Sequence, residues 1–187
     1  KQILTFFKST TGNKEDAITN IQQTNNGATL VTDSDGPSGR HVFDFKGKPD
    51  SNPGDYINAG NINTGSGGLE ITTAMTVSYW AKSDTATWSS WGMHVSKQNS
   101  FIMHPVSATK EFKFYTYTNI GTVNISYTPT DDITDWHHYT GTYDGTYMKF
   151  YVDGVEKGTL EREGDITNEI KNALYIGRDA NRYFLSV

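Results

Sequence analysis

Apolar and polar residues alternate with a period of two along much of the chain, and no stretch sustains the 3.6-residue period of a long helix. The clearest case is Met75-Thr76-Val77-Ser78-Tyr79-Trp80-Ala81-Lys82. Met75, Val77, Tyr79 and Ala81 fall on one face of an extended strand, and Thr76, Ser78, Trp80 and Lys82 on the other. Large aromatics on both faces predict a strand covered on both sides for part of its length. His41 to Phe45 alternates in the same way, and Ile3–Phe7, Ala28–Val31, Asp55–Asn58, Trp91–Val95 and Ser100–Met103 read as further strands. Glu111–Tyr117 and Val123–Tyr127 predict a hairpin around Asn119-Ile120-Gly121. The strongest local signal follows. Trp136–Tyr143, Tyr147–Val152 and Val155–Leu160 are joined by Asp144-Gly145 and Asp153-Gly154, two-residue turns of the kind that close hairpins. Asn172–Ile176 and Arg182–Val187 complete the set. Between these runs lie Gly-, Pro-, Asn- and Asp-rich loops, at 33–39, 46–54 and 61–68. Residues 10–27 are polar and irregular, with Ala17, Ile18 and Ile21 at weak helical spacing. A dozen short strands without a repeat predict a sandwich or jelly roll.

Composition narrows the function classes. The 187 residues suit one domain, with residues 1–27 an N-terminal strand and irregular segment of the same domain as 28–187. Sixteen basic against twenty-one acidic residues leave a net charge of −5, which argues against a nucleic-acid partner. Cysteine is absent, so disulfides, thiolate metal sites and a cysteine nucleophile are excluded. No run approaches the roughly 18 apolar residues of a membrane-spanning helix, so membrane insertion is not expected. The chain starts at Lys1 without a visible leader and reads as a processed form or part of a longer protein.

The run Trp136-His137-His138-Tyr139-Thr140-Gly141-Thr142-Tyr143-Asp144-Gly145, followed by Tyr151-Val152-Asp153-Gly154, resembles the concanavalin A-like, laminin-G-like jelly-roll family. Val42-Phe43-Asp44-Phe45 with Asp55-Tyr56-Ile57-Asn58, the strand at Met75–Ala81 and Leu174-Tyr175-Ile176-Gly177-Arg178 are similar to that family's other strands. The resemblance covers roughly residues 28–184 and implies an all-β sandwich of two antiparallel sheets. Family members continue into a closing strand, whereas this sequence stops at Val187. The closing strand is then cut off, supplied from elsewhere, or replaced by Ile3–Phe7. A missing strand would leave a sheet edge open to a partner chain.

Candidate chemistry is sparse. Adjacent strand residues point to opposite faces, so His137 and His138 cannot share one metal and read as fold residues. His94 and His104 are isolated in sequence. Glu161, Glu163 and Asp165 lack the spacing of the jelly-roll glucanases, and Gly164 marks a strand end, so they read as solvated rather than catalytic. Asp33-Ser34-Asp35-Gly36 starts like a calcium loop but breaks at Pro37. Because jelly rolls of the resembled family often bind calcium near such a loop, Asp33 and Asp35 are its candidate calcium ligands. Trp88 and Trp91 stand in a polar stretch with no evident need of a core, which suits indoles exposed to stack on sugar rings. Tyr115 and Tyr117 share a strand face with Lys113, with Asn119 close by and Phe112 and Phe114 opposite. Trp88, Trp91, Tyr115, Tyr117 and Asn119 are thus the candidate carbohydrate ligands, and Trp80 and Trp136 read as structural.

The sequence therefore predicts a non-catalytic, lectin-like module binding a polysaccharide or glycan on a cell, virion or extracellular surface. The rival reading is a structural or adhesion domain that contacts other protein chains of a larger assembly.

Overall fold

A computed structural model describes residues 2–5, 24–37, 41–45, 54–59, 71–88, 93–167 and 172–178. Within them lie fourteen strands: β1 (Gln2–Thr5), β2 (Thr24–Asn26), β3 (Thr29–Thr32), β4 (His41–Phe45), β5 (Tyr56–Asn58), β6 (Met75–Ser83), β7 (Val95–Lys97), β8 (Phe101–Pro105), β9 (Phe112–Thr118), β10 (Gly121–Tyr127), β11 (His137–Tyr143), β12 (Tyr147–Val152), β13 (Val155–Glu161) and β14 (Leu174–Ile176). They form two seven-stranded sheets. The first runs β13-β12-β11-β6-β1-β4-β3 and the second β10-β9-β8-β7-β14-β5-β2. Every pairing between named strands is antiparallel, as expected for a sandwich built from hairpins. No described helix is long and apolar enough to cross a membrane.

Local sequence explains the best-formed part. Asp153 and Gly154 both take positive φ, 52° and 77°, as a two-residue hairpin twisted to match its strands requires. Asp144 caps the other turn by accepting hydrogen bonds from the amides of Thr146 and Tyr147 at 2.9 and 2.6 Å. The paired histidines separate as their strand positions dictate. His137 bonds Asp153 through Nδ1 at 2.6 Å and the Asp132 carbonyl through Nε2 at 3.0 Å, which pins the chain before β11 to the β12–β13 turn. Burial opposes the His137 charge, but these bonds and the nearby carboxylates outweigh it and raise its pKa.

The core is a ladder of rings. Tyr79 of β6 stacks on Tyr139 of β11, which stacks on Phe112 of β9, and Phe112 lies parallel to Phe150 of β12 at 5.6 Å. Gly141 faces this core because a Cβ there would fall 2.8 Å from the Phe114 ring.

Two placements depart from the local pattern. The N-terminal run does form a strand, but an interior one: β1 pairs with β4 on one side and β6 on the other. Thr24–Asn26, read from sequence as irregular, is the edge strand β2. An edge strand needs only backbone pairing, so its polar residues give no alternating signal. The weak helical spacing at 17–21 and the strand expected over 182–187 lie outside the described residues.

Candidate functional site

The strands of the second sheet line up one row of residues on the side away from the core, buried in the middle at Ile102 and Ser96 and reaching solvent towards both edges. Cross-strand pairing runs Asn124, Tyr115, Ile102, Ser96, Tyr175, Asn58, Thr24, from β10 to β2. The alternate positions, among them Phe101, Met103, Phe112, Phe114 and Ile176, belong to the core. As the sequence pattern implied, Lys113, Tyr115 and Tyr117 are half-buried on this face.

Their surroundings were not visible in sequence. Tyr115 lies flat on His104, ring centroids 5.3 Å apart at 11°. His104 is fixed in turn by its own bond to the Pro105 carbonyl at 2.7 Å. On the adjoining edge strand β10, Thr122, Asn124 and Ser126 are exposed and stand opposite Tyr117, Tyr115 and Lys113. Two tyrosines at two-residue spacing, about 7 Å along the strand, thus border a parallel row of one amide and two hydroxyls. Further along the sheet, Tyr56 and Tyr175 meet edge-on at 6.1 Å, with the Arg178 guanidinium 4.5 and 4.8 Å from their ring centroids. Tyr175 is three strands from Tyr115, roughly 14 Å at the usual strand spacing. Aromatic bodies with polar tips, beside amides and hydroxyls, suit the mixed apolar and hydroxylated surface of a sugar.

The other expected ligands fare differently. Trp88 is fully buried, not exposed. Its ring packs edge-on against His94, Phe112 and Tyr139, and its Nε1 donates to the Lys110 carbonyl at 3.3 Å. Residues 84–87 before it stay exposed while the indole enters the sandwich. Trp91 lies outside the described residues. Asn119 is exposed, yet its Oδ1 accepts from the Asp165 backbone amide at 3.2 Å and its backbone N–H donates to the Asp165 carbonyl at 2.9 Å. It therefore pegs the β9–β10 turn to the loop after β13. That loop carries Glu163 and Asp165 beyond the end of β13, with Gly164 at φ 139°.

At the candidate calcium loop, Asp33 Oδ2 pairs with Lys82 Nζ at 2.9 Å and its Oδ1 accepts from the Asp35 amide at 2.9 Å. Burial pushes the Asp33 pKa up, but the Lys82 and Asp35 bonds and the Lys82 charge win and hold it below the ordinary value. An ammonium thus stands where the expected cation would, and Asp35 is exposed and bonded only within its own turn. Among the described residues no group of three acidic or histidine side chains is placed to hold a metal. Addition of calcium, or of EDTA, is accordingly expected to leave the melting temperature unchanged. A calcium-dependent rise would reveal a cation site that Asp33 and Asp35 do not build in this arrangement.

Residues 50–186 match the family model described as the concanavalin A-like lectin/glucanases superfamily. No curated protein matches the chain. Among solved structures, domain 4 of AbnA, an extracellular arabinanase from Geobacillus stearothermophilus in complex with arabinotriose, is similar at a TM-score of 0.58 and 16% identity, over 84% of this chain and 73% of that one. The binding domain of Paraclostridial Mosquitocidal Protein 1 is similar at 0.56 and 13%, over 87% of this chain and 45% of that one. Mouse laminin alpha1 domains LG4-5 give 0.47 and 16%, over 63% and 31%. The chain thus spans less than half of the last two structures.

Proposed function

Because the chain belongs to the concanavalin A-like lectin/glucanases superfamily, we propose that it is a non-catalytic glycan-binding module that holds a polysaccharide on the outer face of its second sheet. The observation that carries this reading is the Tyr115–Tyr117 pair, one ring backed flat by His104, bordered by exposed Thr122, Asn124 and Ser126. The superfamily also includes enzymes, and chemistry separates the two. Glycoside hydrolysis needs two carboxyl groups flanking the bond, about 5–5.5 Å apart in retaining enzymes. The cross-strand row contains no carboxylate, and the one beside Lys113, Glu111, is its salt-bridge partner at 3.6 Å. We place the module outside the cell, where polysaccharide is met, as part of a larger protein that supplies avidity.

Tyr115→Ala is expected to weaken binding of the preferred oligosaccharide about tenfold, the scale of one aromatic stack. Calorimetric titration of a neutral panel that includes arabinotriose measures this, with a melting curve to confirm the fold. Unchanged affinity in a folded variant would remove this face from the reading.

A second reading, a structural domain held in an assembly by protein contacts, is favoured by the exposed Val155 and Leu160 on edge strand β13. It differs in requiring a stable multimer rather than a glycan-bound monomer.

A further inference from the structure

We propose that the outer face of the first sheet, on the opposite side of the sandwich, is a second and independent glycan-binding surface, where Trp80 stacks an uncharged sugar ring and His138 hydrogen-bonds its hydroxyls. Trp80 projects from β6 between the core residues Tyr79 and Ala81 and is half-buried on the far face. Thr76 and Ser78, in register with it on the same strand, are exposed. The 33–36 loop covers part of this face, over Val42 and out to Lys82, while beside Trp80 the strand stays exposed at Thr76 and Ser78, and a large indole at a sheet surface is an apolar feature that calls for a partner.

The groups beside Trp80 are already oriented. His138 lies directly opposite on β11, its ring 5.1 Å from the indole and tilted by 37°. Its Nε2 is 2.6 Å from Ser78 Oγ, and Thr140 donates to that same oxygen at 3.3 Å. The Ser78 hydroxyl accepts from Thr140 and has both a proton and a second lone pair left, so it holds Nε2 in either tautomer. Nδ1 is thereby left beside the Trp80 ring as a polar atom able to bond a sugar hydroxyl. Tyr151 stands opposite Thr140 on β12, and Thr142 continues the row of hydroxyls.

Charge selects the class of ligand. Lys82, next on the face after Trp80, is paired with Asp33 at 2.9 Å and lies 5.3 Å over the Trp136 ring. Lys149 faces Glu156 at 3.9 Å. Both cations have a carboxylate partner, and Glu161, opposite Tyr147 at the sheet edge, adds an exposed carboxylate, so the described part of the face offers rings and hydroxyls with no unpaired cation. That suits a neutral glycan rather than an anionic polymer. The inference rests on Trp80, His138 and Ser78 and does not depend on Tyr115.

The test is calorimetric titration with arabinotriose, cellotetraose and laminaritetraose, followed in parallel by indole fluorescence. Wild-type protein is expected to bind two equivalents of the preferred sugar. Tyr115→Ala should weaken one of the two sites about tenfold and leave the other at full affinity, with the fluorescence change retained. Trp80→Phe should weaken that other site about tenfold and abolish the fluorescence change. Ser78→Ala, which leaves the stack intact but frees the imidazole, should weaken it less. Melting curves confirm that each variant is folded. If Tyr115→Ala abolishes all binding while Trp80→Phe is silent, this inference fails and the first face stands. If Trp80→Ala abolishes all binding while Tyr115→Ala is silent, the reverse holds. No binding by wild type, or a dimer in sedimentation that Trp80→Ala dissociates, overturns the inference, the latter by making the face a protein contact.

Discussion

Trp88→Ala is expected to lower the free energy of unfolding by about 3–5 kcal/mol, the range for truncating a large core aromatic, while leaving glycan affinity of the folded protein unchanged. Trp88 has no exposed surface and touches both sheets: Phe112 belongs to β9 of the second and Tyr139 to β11 of the first. It also anchors a loop. Its backbone amide donates to the Thr109 carbonyl, its carbonyl accepts from the Ala108 amide, both at 2.8 Å, and its indole reaches the Lys110 carbonyl. Removing the ring leaves a cavity beside His94 and deprives the Lys110 carbonyl of its donor, so the cavity and hydrogen-bond costs fall together. Denaturant titration measures the loss directly. A variant of wild-type stability that binds sugar poorly would instead restore Trp88 to the exposed stacking role that its polar sequence neighbours suggest.

That contrast shows where sequence stops informing. The hairpins at Asp144-Gly145 and Asp153-Gly154 were legible because a two-residue turn and the alternation beside it are local facts. So was the facing of Tyr115 and Tyr117, since Phe112 and Phe114 claim the core side of the same strand. The opposed histidines followed from strand geometry alone. The backing of Tyr115 by His104 depends on the β8–β9 register, and the placing of Tyr175 in the same row depends on two further pairings that no local pattern states. Lys82 pairs with Asp33 only because the folded chain brings the end of β6 to a loop far away in sequence. The half-buried indole of Trp80 was legible as outward-facing and was read as structural, because its partners Ser78 and His138 meet only across paired strands. The superfamily pattern thus encodes the frame, through motifs such as the His137–Asp153 clamp, whereas the proposed binding residues are brought together by register.

Acid should unfold this protein through His94, and His94→Leu should remove most of the effect. The imidazole is buried among Trp88, Phe112, Tyr79 and Tyr139 at centroid distances of 5.0, 5.1, 5.6 and 6.3 Å, and neither ring nitrogen has a hydrogen-bond partner among the described residues. Burial in this apolar box, with a smaller contribution from His104, pushes its pKa from 6.5 down to about 3. The unfolded chain takes up a proton near pH 6.5, while the folded protein does not until about pH 3. Stability contributed by keeping His94 neutral is therefore fully present above pH 6.5 and drains away as pH falls toward 3. At about 1.4 kcal/mol per pH unit the loss reaches about 5 kcal/mol, a large share of a small domain's stability. His137 works the other way, since its raised pKa adds stability as pH falls through it. Asp33 and Asp153 lose theirs only at lower pH, where aspartates protonate. The difference between wild type and His94→Leu isolates the single group, because both proteins retain the other three. Urea titrations from pH 7 to pH 4 should show the variant gaining on wild type with each step down, at a slope approaching one proton. A difference that stays flat over that range would mean that the folded core takes up the proton at no cost, and that the aromatic box around His94 opens to water.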